Sequence, residues 1–205
     1  MNSPVLWYTT RATGIVALVL LTVTMVLGTV NSNRISTARW PGFARQDLHK
    51  QISLMSVCFV AIHVLTSVLD TYVDIGWTSI LVPFTSAYDR FWIALGTISV
   101  DLTLAVAISS LVRHRMNARL WRAIHWAAYV SWPVALAHTF GSGTDATQPW
   151  MIALGASAVA AVTGAVVVRI VVEVSARRRA LALSRAPVLY RHLASPYELR
   201  NGDAL

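Results

Sequence analysis

Five stretches of the chain are long and apolar enough to cross a bilayer, and this constrains the fold more than any other feature. A helix needs about 20 mostly apolar residues to span the hydrocarbon. Thr13–Val30 carries no charge, Gln51–Leu69 carries none beyond the titratable His63, and Phe91–Val112 carries only Asp101. Ala123–Phe140 contains His125, Pro133 and His138, while Trp150–Val168 is uninterrupted and its helix is expected to continue to Val174. Only 13% of residues are charged and 56% are hydrophobic, whereas a soluble domain carries roughly 25% charged residues. That leaves too little polar surface to coat a globule in water. The expected fold is all-α, an integral membrane bundle of five transmembrane helices.

The charge that is present is arranged by segment. The net charge of +8 comes from 16 Arg and one Lys against nine acidic residues. Arg34, Arg39, Arg45 and Lys50 lie between the first two spans, Arg113, Arg115, Arg119 and Arg122 between the third and fourth, and Arg177, Arg178 and Arg179 after the fifth. The other two links hold Asp70, Asp74, Asp89 and Asp145 against a single Arg90. Arginines that alternate with apolar runs mark cytoplasmic helix ends rather than a nucleic-acid surface, and they place the N-terminus outside and the C-terminus in the cytoplasm. Arg11 is the exception. The first span has no basic segment before it and is longer than a signal-peptide core, so it reads as a retained anchor. Trp7, Tyr8, Trp77, Trp92 and Trp150 fall near the expected outer ends, as interfacial aromatics do. Residues 1–175 are expected to form the membrane domain and 176–205 a cytoplasmic tail. The one cysteine, Cys58, can make neither an internal disulfide nor a thiolate metal site.

Four histidines stand out. His49 and His63 lie 14 residues apart on the second span, and His125 and His138 lie 13 apart on the fourth. At about 1.5 Å per residue each pair is separated by roughly 20 Å along its helix. The two spans run in the same direction, so His49 and His125 fall near the inner face and His63 and His138 near the outer face. Each level then offers one imidazole from each of two helices, the ligand set of a six-coordinate haem iron. Fourteen residues bring His63 to within roughly 40° of His49 on a straight helix, whereas 13 leave His138 roughly 140° from His125. Pro133, between them, is the expected device that turns both rings inward. A single buried histidine more often packs than ligates. Ionisable groups inside a membrane are costly and usually functional, however, and four in two near-equal spacings point to a cofactor. His114 and His192 have no such partners.

The segments LHKQISLMSVCFVAIHV, around His49 and His63, and LWRAIHWAAYVSWPVALAHTFGSGTD, around His125 and His138, resemble the ferric reductase-like transmembrane domain. That superfamily includes iron reductases, NADPH oxidases and the bacterial haem-binding membrane subunit of the methionine sulfoxide reductase system. RATG at Arg11–Gly14 and PFTSAYDRFWIALG at Pro83–Gly96 are similar to its bacterial branch. The resemblance covers Trp7 to Val174. It implies two b-type haems, held by His49 with His125 and by His63 with His138, in a cytochrome b-like oxidoreductase component of a bacterial inner membrane. The family usually has six spans, and the one missing here corresponds to its first. The flavin and nicotinamide domain of the eukaryotic enzymes is not expected, since no G-x-G-x-x-G follows a strand. PFTS at Pro83 resembles a flavin-binding motif but lies in an outer loop without a barrel around it. Electrons are therefore expected from a separate flavin reductase or from membrane quinol, passing to an acceptor at the outer face.

Several residues support this reading, and each has a plainer alternative. Arg122 suits an inner haem propionate or a cytoplasmic anchor, and Arg11 an outer propionate or a snorkelling surface position. Asp101 sits mid-span, where an isolated carboxylate costs about 3 kcal/mol or more, and is expected to find an interior partner. Arg169 and Glu173 are spaced for a helix-end ion pair, and Gly14, Gly28, Gly96 and Gly164 for close helix contact. The sequence leaves two rival functions: a non-redox proton channel or transporter using His63, His138 and Asp101, or a structural membrane anchor of a complex.

Overall fold

The computed structural model describes the backbone of residues 4–31, 41–70, 73 and 75–193, and side chains in these ranges except residues 31 and 183–193. Arg34, Arg39, Asp74 and the His192 side chain lie outside the described residues. The described residues form six α-helices, two short 3-10 helices at Trp77–Ile80 and Arg113–Arg115, and no strand. The α-helices are α1 (Pro4–Asn31), α2 (Gly42–Leu69), α3 (Arg90–Leu111), α4 (Ala118–His125), α5 (Ala128–Ser142) and α6 (Pro149–Leu193).

Among the described residues four helices are long and apolar enough to span a membrane: α1, α2, α3 and the Pro149–Ala182 part of α6. The fourth expected span is not one continuous helix. It is broken at Trp126–Ala127 into the short α4 and the 15-residue α5. Around the break, Ala127 N–H donates to Ile124 O, Tyr129 N–H to Trp126 O and Val130 N–H to Ala127 O, each over three residues rather than four. A 3-10 turn advances about 120° per residue against about 100° in an α-helix, so three tightened steps recover roughly 60° of the angle separating His125 from His138. This break lies upstream of Pro133, the position expected to turn the helix. Pro133 itself lies inside α5, where it has no N–H for the Tyr129 carbonyl. The fifth expected span also differs, since α6 continues unbroken past Val174 and across residue 175 to Leu193.

The packing is that of a protein dissolved in lipid. Leu54 and Val171 are 62% and 57% exposed, whereas Thr29 and Ser56 are each 1% exposed. Lipid is as apolar as leucine, so large side chains gain little by turning inward, and small residues allow helices to approach. Hydroxyls that leave water need acceptors, and the preceding turn supplies them. Thr22 donates to Leu18 O at 2.8 Å, Thr29 to Met25 O at 2.8 Å and Ser56 to Ile52 O at 2.9 Å.

Two contacts seat α5 against its neighbours. Buried Trp132 Nε1 donates to Thr22 Oγ1 of α1 at 3.0 Å, and Met25, Ala158 and Val162 complete that core. Ser131 Oγ donates to Ser99 O of α3 at 3.0 Å and lies 2.8 Å from Thr103 Oγ1. α1 packs along α2, and α3 along α5, and lesser contacts of α1 with α5 and of α2 with α3 join the two pairs. The Arg169–Glu173 pair expected from their spacing is not formed. Arg169 Nη1 instead donates to Tyr129 OH at 2.8 Å, and Glu173 pairs with Arg177 at 2.5 Å.

Candidate functional site

The four histidines meet as two pairs, in the combination that their spacing suggests. The rings of His49 on α2 and His125 at the end of α4 have centroids 6.5 Å apart and planes crossed at 69°. Those of His63 on α2 and His138 on α5 are 6.4 Å apart and crossed at 71°. The first pair lies toward the arginines of the α3–α4 link, and the second toward Asp70 and Asp145.

A metal–imidazole bond is about 2.0–2.1 Å and a ring nitrogen lies about 1.1–1.2 Å from its ring centre, so two imidazoles on opposite sides of one metal have centroids about 6.2–6.6 Å apart. Both pairs match that spacing. Among the described residues no group of three or more His, Cys, Asp or Glu side chains converges on one point. An ion between either pair would therefore take its remaining ligands from something other than protein side chains. A porphyrin supplies four in one plane and leaves the two axial positions that an imidazole pair can fill.

Hydrogen bonding fixes which nitrogen is available. His63 Nδ1 donates to the Thr10 carbonyl at 2.9 Å, and His138 Nδ1 donates to the Trp92 carbonyl at 2.8 Å. A carbonyl only accepts, so each Nδ1 carries the proton and each Nε2 keeps a free lone pair. The first pair is held differently. His49 lies by the Thr24 backbone, but its Nδ1 is buried without a hydrogen-bond partner among the described residues. His125 Nδ1 is buried without a partner among the described residues, and its ring stacks on Trp121 at 4.9 Å and 25°. Arg113 covers that indole at 4.2 Å.

A cavity of about 310 Å³ surrounds the second pair, walled by residues such as Leu18, Val64, Val100 and Thr139. Arg11 lines the same cavity, lies 4.1 Å over the Trp7 ring and forms an ion pair with Asp145. Arg122 is exposed one turn before His125, with Nε donating to Ala118 O at 3.2 Å. Asp101 is half-buried, is not among the cavity-lining residues, and has no hydrogen-bond or ion-pair partner among the described residues. The neighbouring hydroxyls of its own helix, Ser99 and Thr103, both bond to Ser131. In the PFTS segment, Thr85 Oγ1 donates to Val82 O and Ser86 Oγ to Tyr88 O, so these hydroxyls serve their own loop.

Sequence reasoning missed the carbonyls of Thr10 and Trp92, because backbone groups carry no residue signature. It also missed Trp121, whose spacing of four from His125 predicts contact on a helix.

The family model for ferric reductase like transmembrane components matches residues 13–136, more than half the chain, and takes in His49, His63 and His125. No curated protein and no solved structure matches.

Proposed function

The chain belongs to the ferric reductase-like transmembrane family, and from that premise we propose that it carries electrons across a membrane by way of two b-type haems, one bound by His49 and His125 and the other by His63 and His138. The family assignment makes it a multi-pass membrane protein and an oxidoreductase component associated with transmembrane electron transfer. The observation that carries the finer reading is the spacing of the rings, 6.5 Å and 6.4 Å, at two levels of one bundle.

Haem iron supplies one-electron chemistry at each level. The chain's own residues hold, orient and insulate. His63 and His138 present Nε2 because their Nδ1 protons are committed to carbonyls. Leu18, Val64 and Val100 give the second pair apolar walls. Arg11 stands at the same cavity with a guanidinium suited to a propionate, as Arg122 does one turn from His125.

In this reading the chain crosses five times, with α4 and α5 together forming the broken crossing, the N-terminus outside and the arginine-rich links in the cytoplasm of a bacterial cell. The donor is a separate flavin reductase or membrane quinol, and the acceptor lies at the outer face. The proton-relay alternative is weakened because Asp101 does not line the cavity that holds His63 and His138.

The test is haem extraction from detergent-purified protein, with spectra taken oxidised and dithionite-reduced. Two haems per chain with sharp reduced α-bands are expected. A colourless protein would exclude the proposal.

A further inference from the structure

Three glycines face three of the four histidines. A Cβ added at Gly14 would stand 2.9 Å from Nδ1 and Cε1 of His63, and one at Gly96 would stand 2.8 Å from the same atoms of His138. At Gly28 it would stand 3.1 Å from Cε1 of His49. At Gly164 it would meet nothing within 4 Å. The first three glycines therefore sit against imidazoles, not against a neighbouring helix backbone.

The register of these glycines repeats. Within an α-helix the N–H of residue i bonds the carbonyl of residue i−4. Thr10 lies four residues before Gly14, and Trp92 four before Gly96. These are the carbonyls to which His63 and His138 donate. Thr24, whose backbone lies by His49, lies four before Gly28. The repetition has a steric cause. A helical Cβ tilts toward the N-terminus and covers the turn that precedes it, shielding the i−4 carbonyl from a donor arriving from the side. A glycine leaves that carbonyl open, and its second lone pair can accept from an imidazole.

We infer that Gly14 and Gly96 are positioning residues that open the Thr10 and Trp92 carbonyls to His63 and His138, and that the centre between these two histidines is the lower-potential of the two. The second clause rests on the haem reading. A ligating imidazole whose other N–H is bonded to a carbonyl is a stronger electron donor and favours the oxidised metal. Both rings of the second pair have such a bond. Among the described residues neither ring of the first has one.

The experiment is a redox titration with haem quantification on the full-length purified protein and on Gly14→Ala, Gly96→Ala and Gly164→Ala. We expect Gly14→Ala and Gly96→Ala each to raise the lower midpoint or to halve the haem content, while Gly164→Ala keeps both midpoints and both haems. His63→Ala, which does not depend on how the glycine variants fold, should remove the lower-potential component, and His49→Ala the higher. Two haems with unchanged midpoints in Gly14→Ala and Gly96→Ala, or loss of the higher component in His63→Ala, would overturn the inference and leave the two-haem proposal standing. A wild-type protein without haem would remove both.

Discussion

The imidazole planes of His63 and His138 cross at 71°, almost the same angle as the 69° between His49 and His125. The relative orientation of two axial imidazoles governs the splitting of the iron orbitals that accept π density from them. Parallel planes raise one orbital above the other, whereas crossed planes leave the two nearly degenerate. Both oxidised centres are therefore expected to give strongly anisotropic low-spin ferric signals in electron paramagnetic resonance. Rhombic signals from both would show that the rings turn toward parallel when iron is bound.

The break at Trp126–Ala127 lies between His125 and His138 and turns one ligand relative to the other. Pro133→Ala is expected to retain two haems. One alanine inserted between Trp126 and Ala127 turns one ligand relative to the other by about 100° and should remove at least one haem. Pyridine haemochrome quantification distinguishes these outcomes, and an insertion variant that keeps both haems would contradict this role for the break.

Arg169 connects α6 to α5 through Tyr129 OH, which lies 3.4 Å from Thr29 Oγ1 of α1. Tyr129→Phe removes the acceptor of a charged donor and is expected to cost about 1–2 kcal/mol. Glu173→Gln breaks only an exposed pair one turn apart and should cost less than about 0.5 kcal/mol. Thermal unfolding in detergent should rank the variants in that order.

What could be read from the sequence follows from where its information lies. The membrane class and the pairing of His49 with His125 and His63 with His138 were legible because hydrophobic length and histidine spacing are properties of residue type. The choice of Tyr129 over Glu173 by Arg169 was not, since sequence spacing proposes a neighbour on the same helix and packing supplies a competitor from another. The break before α5 was hidden for a similar reason. Trp126 and Ala127 are not helix breakers, and the tightened turn is visible only in the bonds it makes. Gly14 and Gly96 were recognised as close-approach positions, but the approaching group is an imidazole rather than a helix.

The most direct measurement of the central claim is the haem content and reduced spectrum of His49→Ala, His63→Ala, His125→Ala and His138→Ala, each purified in detergent. The account predicts two haems in the parent and one in each variant, with His49→Ala and His125→Ala losing the same spectral component and His63→Ala and His138→Ala losing the other. Four variants that all keep two haems, or losses that group the histidines by helix instead of across helices, would contradict it.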